Sequence, residues 1–184
     1  RIAEKTNDNY LKYQTIYFIA QNYLYLGRLS DAKKEYEKCV NFYSANLNES
    51  KTFGKNYEMM FIYSLISLID TNSKLNQFFD NKILLEKAFK YIKENSSNFY
   101  YAYFISCEGT NAYYLKNYFL AIEKLKKAKT LYQDNFPHYT EIFYIGMSYW
   151  KLGNKKEAVK YLKKLDKEYY KDKNQDPQYR PAYE

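Results

Sequence analysis

Few residues in this chain are equipped for covalent or metal chemistry. The one histidine, His138, stands three residues before Glu141. That H-x-x-E spacing supplies half of a zinc site at best, because such sites need three or four protein ligands. Beside Pro137, at the entrance to a helical pattern, His138 reads as a solvated loop residue. Cys39 and Cys107 are far apart, each inside a helical pattern, and neither belongs to a C-x-x-C or Cys/His arrangement. Cys39 reads as a small buried thiol, and a single disulfide in an oxidising compartment stays open. No G-x-S-x-G, P-loop or dinucleotide glycine pattern occurs. The expectation is therefore a non-enzyme with no catalytic residue, no metal and no cofactor.

The composition favours non-covalent recognition instead. With 25 Tyr, 12 Phe and one Trp, 21% of the chain is aromatic, which supplies rigid rings with polar tips. Such rings grip a peptide at low entropic cost. The formal charge of +8 invites a nucleic-acid partner, yet only three of the 29 basic residues are arginine, the residue that offers phosphates and guanine a bidentate fork. The lysines fall where a solvated helix face would put them: Lys124, Lys127 and the run Lys155, Lys156, Lys160, Lys163, Lys164 and Lys167, interleaved with Glu123, Glu157 and Asp166. Nucleic acid is accordingly disfavoured for this segment. The longest apolar run, Phe61 to Ile69, is interrupted by serines and too short to cross a bilayer, so no membrane insertion is expected.

These side chains have to be positioned by helices. Only 5 Gly and 3 Pro punctuate 184 residues, too few for an all-β chain. The clearest stretch is Tyr139 to Leu165. Ile142, Ile145, Gly146, Tyr149 and Leu152 share one helical face, and the small Gly146 permits close approach of a neighbour. After the turn at Leu152 and Gly153, Asn154 with Glu157 makes an N-cap signature, and Ala158, Tyr161, Leu162 and Leu165 form a second stripe. The same logic opens the chain: Tyr10, Tyr13, Ile16, Tyr17, Ala20, Tyr23 and Leu24, a stop at Gly27, Ser30 as N-cap, then Ala32, Tyr36, Cys39 and Val40. Ala20, Gly27, Ala32 and Tyr36 align without a gap on Gly146, Gly153, Ala158 and Leu162. A third copy runs through Ile105, Gly109, Ala112, Leu115, Tyr118, Ala121, Leu125 and Ala128. The remaining copy is degenerate. It has a strong helix from Tyr57 to Asp70 with Ser64 or Ser67 as its small residue, a long glycine-free turn over 71–81, and a second helix marked by Leu84, Leu85, Ala88, Phe89 and Ile92.

This arrangement resembles the tetratricopeptide repeat (TPR), in which a glycine or alanine sits midway along the first helix and alanines sit in the second. The resemblance implies an all-α fold, an α-solenoid of about four antiparallel helical hairpins in a right-handed superhelix. It implies one domain over 1–184, with hairpins at about 8–46, 55–95, 99–133 and 136–170. Residues 171–184 would then connect to a further helix beginning near Pro181. It also implies that the first helices line a concave groove. The matching positions are Gln14, Tyr17, Gln21 and Tyr25; then Tyr103, Ser106, Thr110, Tyr113 and Tyr114; then Thr140, Phe143, Met147, Trp150 and Lys151. Lys151 alone among them is basic, so the clamp for a C-terminal carboxylate known in some TPR grooves is not expected. The implied partner is a protein or peptide segment, with self-association through exposed end hairpins as a second possibility.

Residues 151–184 are similar to segments of TPR-bearing bacterial regulators, where the array precedes a transmembrane helix and a helix-turn-helix or histidine-kinase output module. That implies the ligand-sensing part of a larger regulatory protein, with a free-standing adaptor or scaffold as the alternative. The compartment stays open between cytoplasm and the extracytoplasmic side of a membrane-anchored protein.

Overall fold

A computed structural model describes residues 8–49, 55–95, 98–132 and 138–173. All regular structure among them is helical: α1 (Asn9–Tyr25), α2 (Leu29–Ala45), a short 3-10 turn (Leu47–Glu49), α3 (Tyr57–Lys74), α4 (Phe78–Asn95), α5 (Asn98–Tyr114), α6 (Tyr118–Tyr132), α7 (Tyr139–Lys151) and α8 (Lys155–Lys173). The fold is all-α, as the periodicity predicts. The expected roles of Pro137 and of most of the 171–184 connector fall outside the described residues. The chain divides into two compact units, one ending at Leu84 and one beginning at Leu85, so α4 runs across the border.

What makes four hairpins out of the eight described helices is a single turn used four times. Each first helix ends in Leu26, Leu75, Leu115 or Leu152, and the next residue has positive φ: Gly27 (71°), Asn76 (59°), Lys116 (63°) and Gly153 (78°). The residue after that returns its amide to a carbonyl five back: Arg28 to Tyr23 (2.8 Å), Gln77 to Asn72 (2.8 Å), Asn117 to Ala112 (2.9 Å) and Asn154 to Tyr149 (2.9 Å). This is the hydrogen bond of a Schellman ending, which satisfies an orphan carbonyl and needs a left-handed residue. Asn tolerates that conformation almost as readily as Gly, whereas Lys carries a penalty of about 1 kcal/mol. Replacing Lys116 by Gly is therefore expected to stabilise the second unit by up to about 1 kcal/mol, read as a higher urea midpoint at unchanged m-value.

The second hairpin is thus less degenerate than its sequence implies. Its first helix continues one turn past Asp70, and the expected long turn over 71–81 is the three-residue turn Leu75, Asn76 and Gln77. Counting from the turns, the small position seven residues earlier is Ala20, Ile69, Gly109 or Gly146, and the alanine position five residues later is Ala32, Asn81, Ala121 or Ala158. Neither Ser64 nor Ser67 fills the small position. Ser64 is buried with its hydroxyl donated to the Met60 carbonyl (2.7 Å), and Ser67 meets the Tyr17 hydroxyl (3.2 Å). Where the other hairpins carry alanine or glycine at both of these positions, this one carries Ile69 and Asn81. The buried Asn81 amide donates to the Ile69 carbonyl (3.2 Å) and to the Ser73 hydroxyl (2.9 Å).

Caps close the helix ends. Asp8 accepts from the Tyr10 and Leu11 amides (2.9 and 3.4 Å) and pairs with Lys55 (2.9 Å). The hydrogen bond from Lys55, helped by these amides, holds its carboxyl below the usual range. Asn56 caps α3 through the Met59 amide, and Asn154 caps α8 through the Glu157 amide (2.9 and 3.2 Å). Ser30 is not the cap of α2. The helix begins one residue before it, and Arg28 occupies the cap position without a side-chain bond.

Tyrosine does the work of aliphatic residues in the first unit. Tyr13 stacks on Phe42 (centroids 3.9 Å apart), and Tyr10, Tyr43 and Tyr57 meet edge to face at 5.0 to 6.1 Å. Burial pushes the Tyr36 hydroxyl and the Cys39 thiol each up to about 12, and raises Tyr43 as well. The unfolded chain loses these protons from about pH 9 to 10, while the folded chain keeps them to about 12. Unfolding therefore releases protons across that window, and stability present below pH 9 is lost as pH rises through it. Urea midpoints are expected to fall between pH 9 and 11, less steeply in Cys39→Ala. Flat midpoints would contradict this.

Candidate functional site

In the second unit, the first helices of two successive hairpins, α5 and α7, lie side by side. The Tyr114 and Tyr144 hydroxyls are 2.7 Å apart, and the Ser106 hydroxyl donates to the Glu141 carboxylate at 2.5 Å. Between and above these bonds, the Tyr113 ring leans on Tyr144 (5.1 Å) and Tyr118 (5.7 Å). Tyr113 and Phe143 are partly buried and pack on a core of Ala112, Ala121, Leu125, Tyr144 and Ile145. Burial raises the Tyr113 hydroxyl above its ordinary value, so it stays a neutral donor.

The expected groove residues separate by burial. Tyr103, Thr110, Tyr113, Phe143 and Met147 are half-buried, while Tyr114, Thr140, Lys151 and Trp150 are exposed, Trp150 at 50%. Ser106 is buried and engaged with Glu141, so its role here is to join α5 to α7. The surface these residues offer is aromatic, with hydroxyl tips and one cation.

In the first unit, α1 and α3 make the corresponding pair, joined by the Tyr17 and Ser67 hydroxyls (3.2 Å). Tyr17 is buried on Tyr36 (5.6 Å) and receives the Gln21 amide (3.3 Å). Gln14 and Gln21 are half-buried, and Tyr25 is exposed at the end of α1. Counting from Asn76 assigns α3 the positions that sequence reasoning left blank: Tyr63, Ile66, Asp70 and Lys74. Tyr63 is exposed, and Lys74 pairs with Asp70 (2.7 Å). The signal that could have found them is the Leu-Asn pair at 75–76. Tyr144 and Glu141, which hold α7 to α5, were also missed as partners.

The alternative chemistry is not assembled. His138 is buried against the Tyr132 ring (5.9 Å) rather than solvated in a loop, and Glu141 is committed to Ser106. No cluster of three metal-ligating side chains occurs among the described residues. Cys39 is buried with its sulfur 3.5 Å from the Tyr13 carbonyl, and no disulfide joins it to Cys107. The lysines of α8 from Lys155 to Lys167 are exposed as expected, but Lys124 is a correction: it is half-buried and pairs with Glu108 across its hairpin (3.0 Å). Among the described residues no helix is long and apolar enough to cross a membrane.

Residues 142–169, most of α7 and the body of α8, match the family model described as tetratricopeptide repeat. No match was found among curated proteins. The matched hairpin, within an array of hairpins that share its turn, supports a TPR domain. Such repeats form protein–protein interaction modules, and all-helical arrays of this kind are typically non-catalytic.

Proposed function

We propose that the chain is a non-catalytic binding domain that holds an extended or helical segment of another protein on the first-helix faces of its hairpins. The observation that carries this reading is the α5/α7 surface. There, hydroxyl-to-hydroxyl and hydroxyl-to-carboxylate bonds join two helices that carry a set of tyrosine, phenylalanine, methionine and tryptophan side chains. Rigid, partly exposed aromatics are the residue types that dominate interface energetics. The contacting residues would be Thr110, Tyr113, Tyr114, Thr140, Phe143, Met147, Trp150 and Lys151, with Tyr103 at the edge. Gln14, Gln21 and Tyr25, joined by Tyr63, would offer a second such face in the first unit. Buried Tyr17 and Ser106 would act by positioning.

The similarity of residues 151–184 to bacterial regulators supports placing this domain as the partner-binding or sensing segment of a larger regulatory protein. The test is selection of binding peptides from a displayed library, followed by affinity measurement on groove variants. Selected peptides that bind variants of Met147 and Trp150 as well as the parent would overturn the assignment.

A further inference from the structure

Counted from the positive-φ residue of each turn, the hairpins can be compared charge by charge, and some cations turn out to lack a counter-charge in the chain. Two residues before the turn, α3 has Lys74 and α7 has Lys151; four residues further back stand Asp70 and Met147. Lys74 therefore finds its carboxylate within its own helix, at 2.7 Å, whereas Lys151 has a methionine where that carboxylate would stand. Two residues after the turn of the third hairpin, Tyr118 leans on Tyr113 (5.7 Å), and in the fourth the same two positions hold Lys155 and Trp150. The Ser106–Glu141 bond joins residues ten and twelve positions before the two turns, so both turns lie at one end of the α5/α7 pair. That end carries exposed Lys116, Lys151 and Lys155, and none of the three pairs with a carboxylate among the described residues. The acids nearest in sequence are committed elsewhere: Glu108 to Lys124 (3.0 Å), Glu141 to Ser106, and Glu157 to Lys160 (3.7 Å).

We propose that the segment held on α5 and α7 is acidic: an apolar residue seats against Met147 and Trp150, and Asp or Glu side chains beside it supply the counter-charge to Lys151, Lys155 and Lys116. This inference rests on the peptide-binding reading of that face. Exposed charges of this kind select partners and speed their arrival more than they add affinity, and unbalanced cations reject basic segments. The tyrosines favour peptide over nucleic acid. Tyr113 leans on Tyr114, Tyr118 and Tyr144, with centroids 5.1 to 5.7 Å away. The cluster therefore offers edges and hydroxyl tips rather than the open ring faces on which bases stack. The cations, moreover, are lysines, without the fork that arginine presents to phosphate.

Selection from a displayed random peptide library on the 184-residue chain, followed by calorimetry on variants, tests it. The selected peptides are enriched in Asp and Glu next to an aromatic or aliphatic residue. Lys151→Glu combined with Lys155→Glu weakens them about tenfold or more, because two attractions become repulsions. The same double variant binds peptides whose acids are changed to Lys better than the parent does. Lys151→Gln with Lys155→Gln repeats the first arm if the Glu pair loses helical circular dichroism. Peptides that need Trp150 yet ignore both lysine variants, or that are enriched in Lys and Arg, would overturn the acidic class and leave the groove standing. Peptides indifferent to Trp150→Ala, or none selected at all, remove the groove and this inference with it. Oligothymidylate bound more tightly than any selected peptide, and weakened by the same Glu pair, would overturn the proposal in favour of single-stranded nucleic acid.

Discussion

Leu125→Ala is expected to cost about 2–5 kcal/mol, the range for emptying a fully buried leucine site, and to do so through a specific partner. A Cβ built on Gly109 would lie 2.6 Å from Leu125 Cγ and 3.1 Å from the Leu125 backbone nitrogen. The leucine therefore fills the space that the missing side chain leaves, and α5 and α6 approach at this point. Gly109→Ala alone gains about 1 kcal/mol of helix propensity but forces overpacking worth about 1–3 kcal/mol, and is expected to destabilise. In the Leu125→Ala background the side-chain obstruction is gone and only the backbone nitrogen remains close, so the same change should cost markedly less than it does in the parent. A double-mutant cycle by urea unfolding reads the coupling directly. Additive effects would mean that the two residues do not share this space. Gly146 and Leu162 repeat the arrangement more loosely, with the nearest approach 3.0 Å.

Trp150→Ala should weaken binding of library-selected peptides by about 30-fold or more, the loss typical of a truncated hot spot of 2 kcal/mol. The substitution is a clean probe because Trp150 is half-exposed and lies outside the core cluster, so unfolding midpoints should not move. Adding Met147→Ala should deepen the loss. Tyr114→Phe keeps the ring and removes the hydroxyl that meets Tyr144 2.7 Å away, so it separates contact from alignment. Calorimetric titration of each variant at two salt concentrations checks both points. Affinity indifferent to Trp150 and falling steeply with salt would move the site to the exposed lysines of α8.

Most of the architecture was legible because the signals are local. Apolar spacing fixed the helices, and Gly27 and Gly153 marked two turns. The third turn was found from its flanking stripes although Lys116 is a poor left-handed residue. The second hairpin misled for a physical reason: Asn76 stands where two of the other turns have glycine, and Ile69 and Asn81 stand at the small-residue positions, joined by a side-chain amide bonded to a helix carbonyl. Turn-to-turn intervals are 49, 40 and 37 residues, so a constant period could not have supplied the missing register. Helix length varies as well, from the 13 residues of α7 to the 18 of α3 and α4, while the turn itself is constant. The candidate site was legible as a choice of faces but not of depths. Tyr17 and Ser106 share their position with half-buried Ile66 and Phe143, and only packing with Tyr36 and Glu141 decides that they are interior. His138 was misjudged likewise, since nothing in its local sequence announces the Tyr132 ring.

The buried carboxylate of Glu141 has a consequence for how like elements find the right neighbour. Hairpins this similar in sequence risk swapping places during folding, because tyrosine, leucine and alanine stripes fit one another in several combinations. At the position of Glu141, α1 has Thr15, α3 has Ser64 and α5 has Phe104. A carboxylate taken out of water must meet a donor or pay heavily for the mismatch. Among the described residues, α5 presents that donor at Ser106, 2.5 Å away. The bond therefore acts as an address, favouring α5, which offers Ser106, over α3, which has Ile66 at that position.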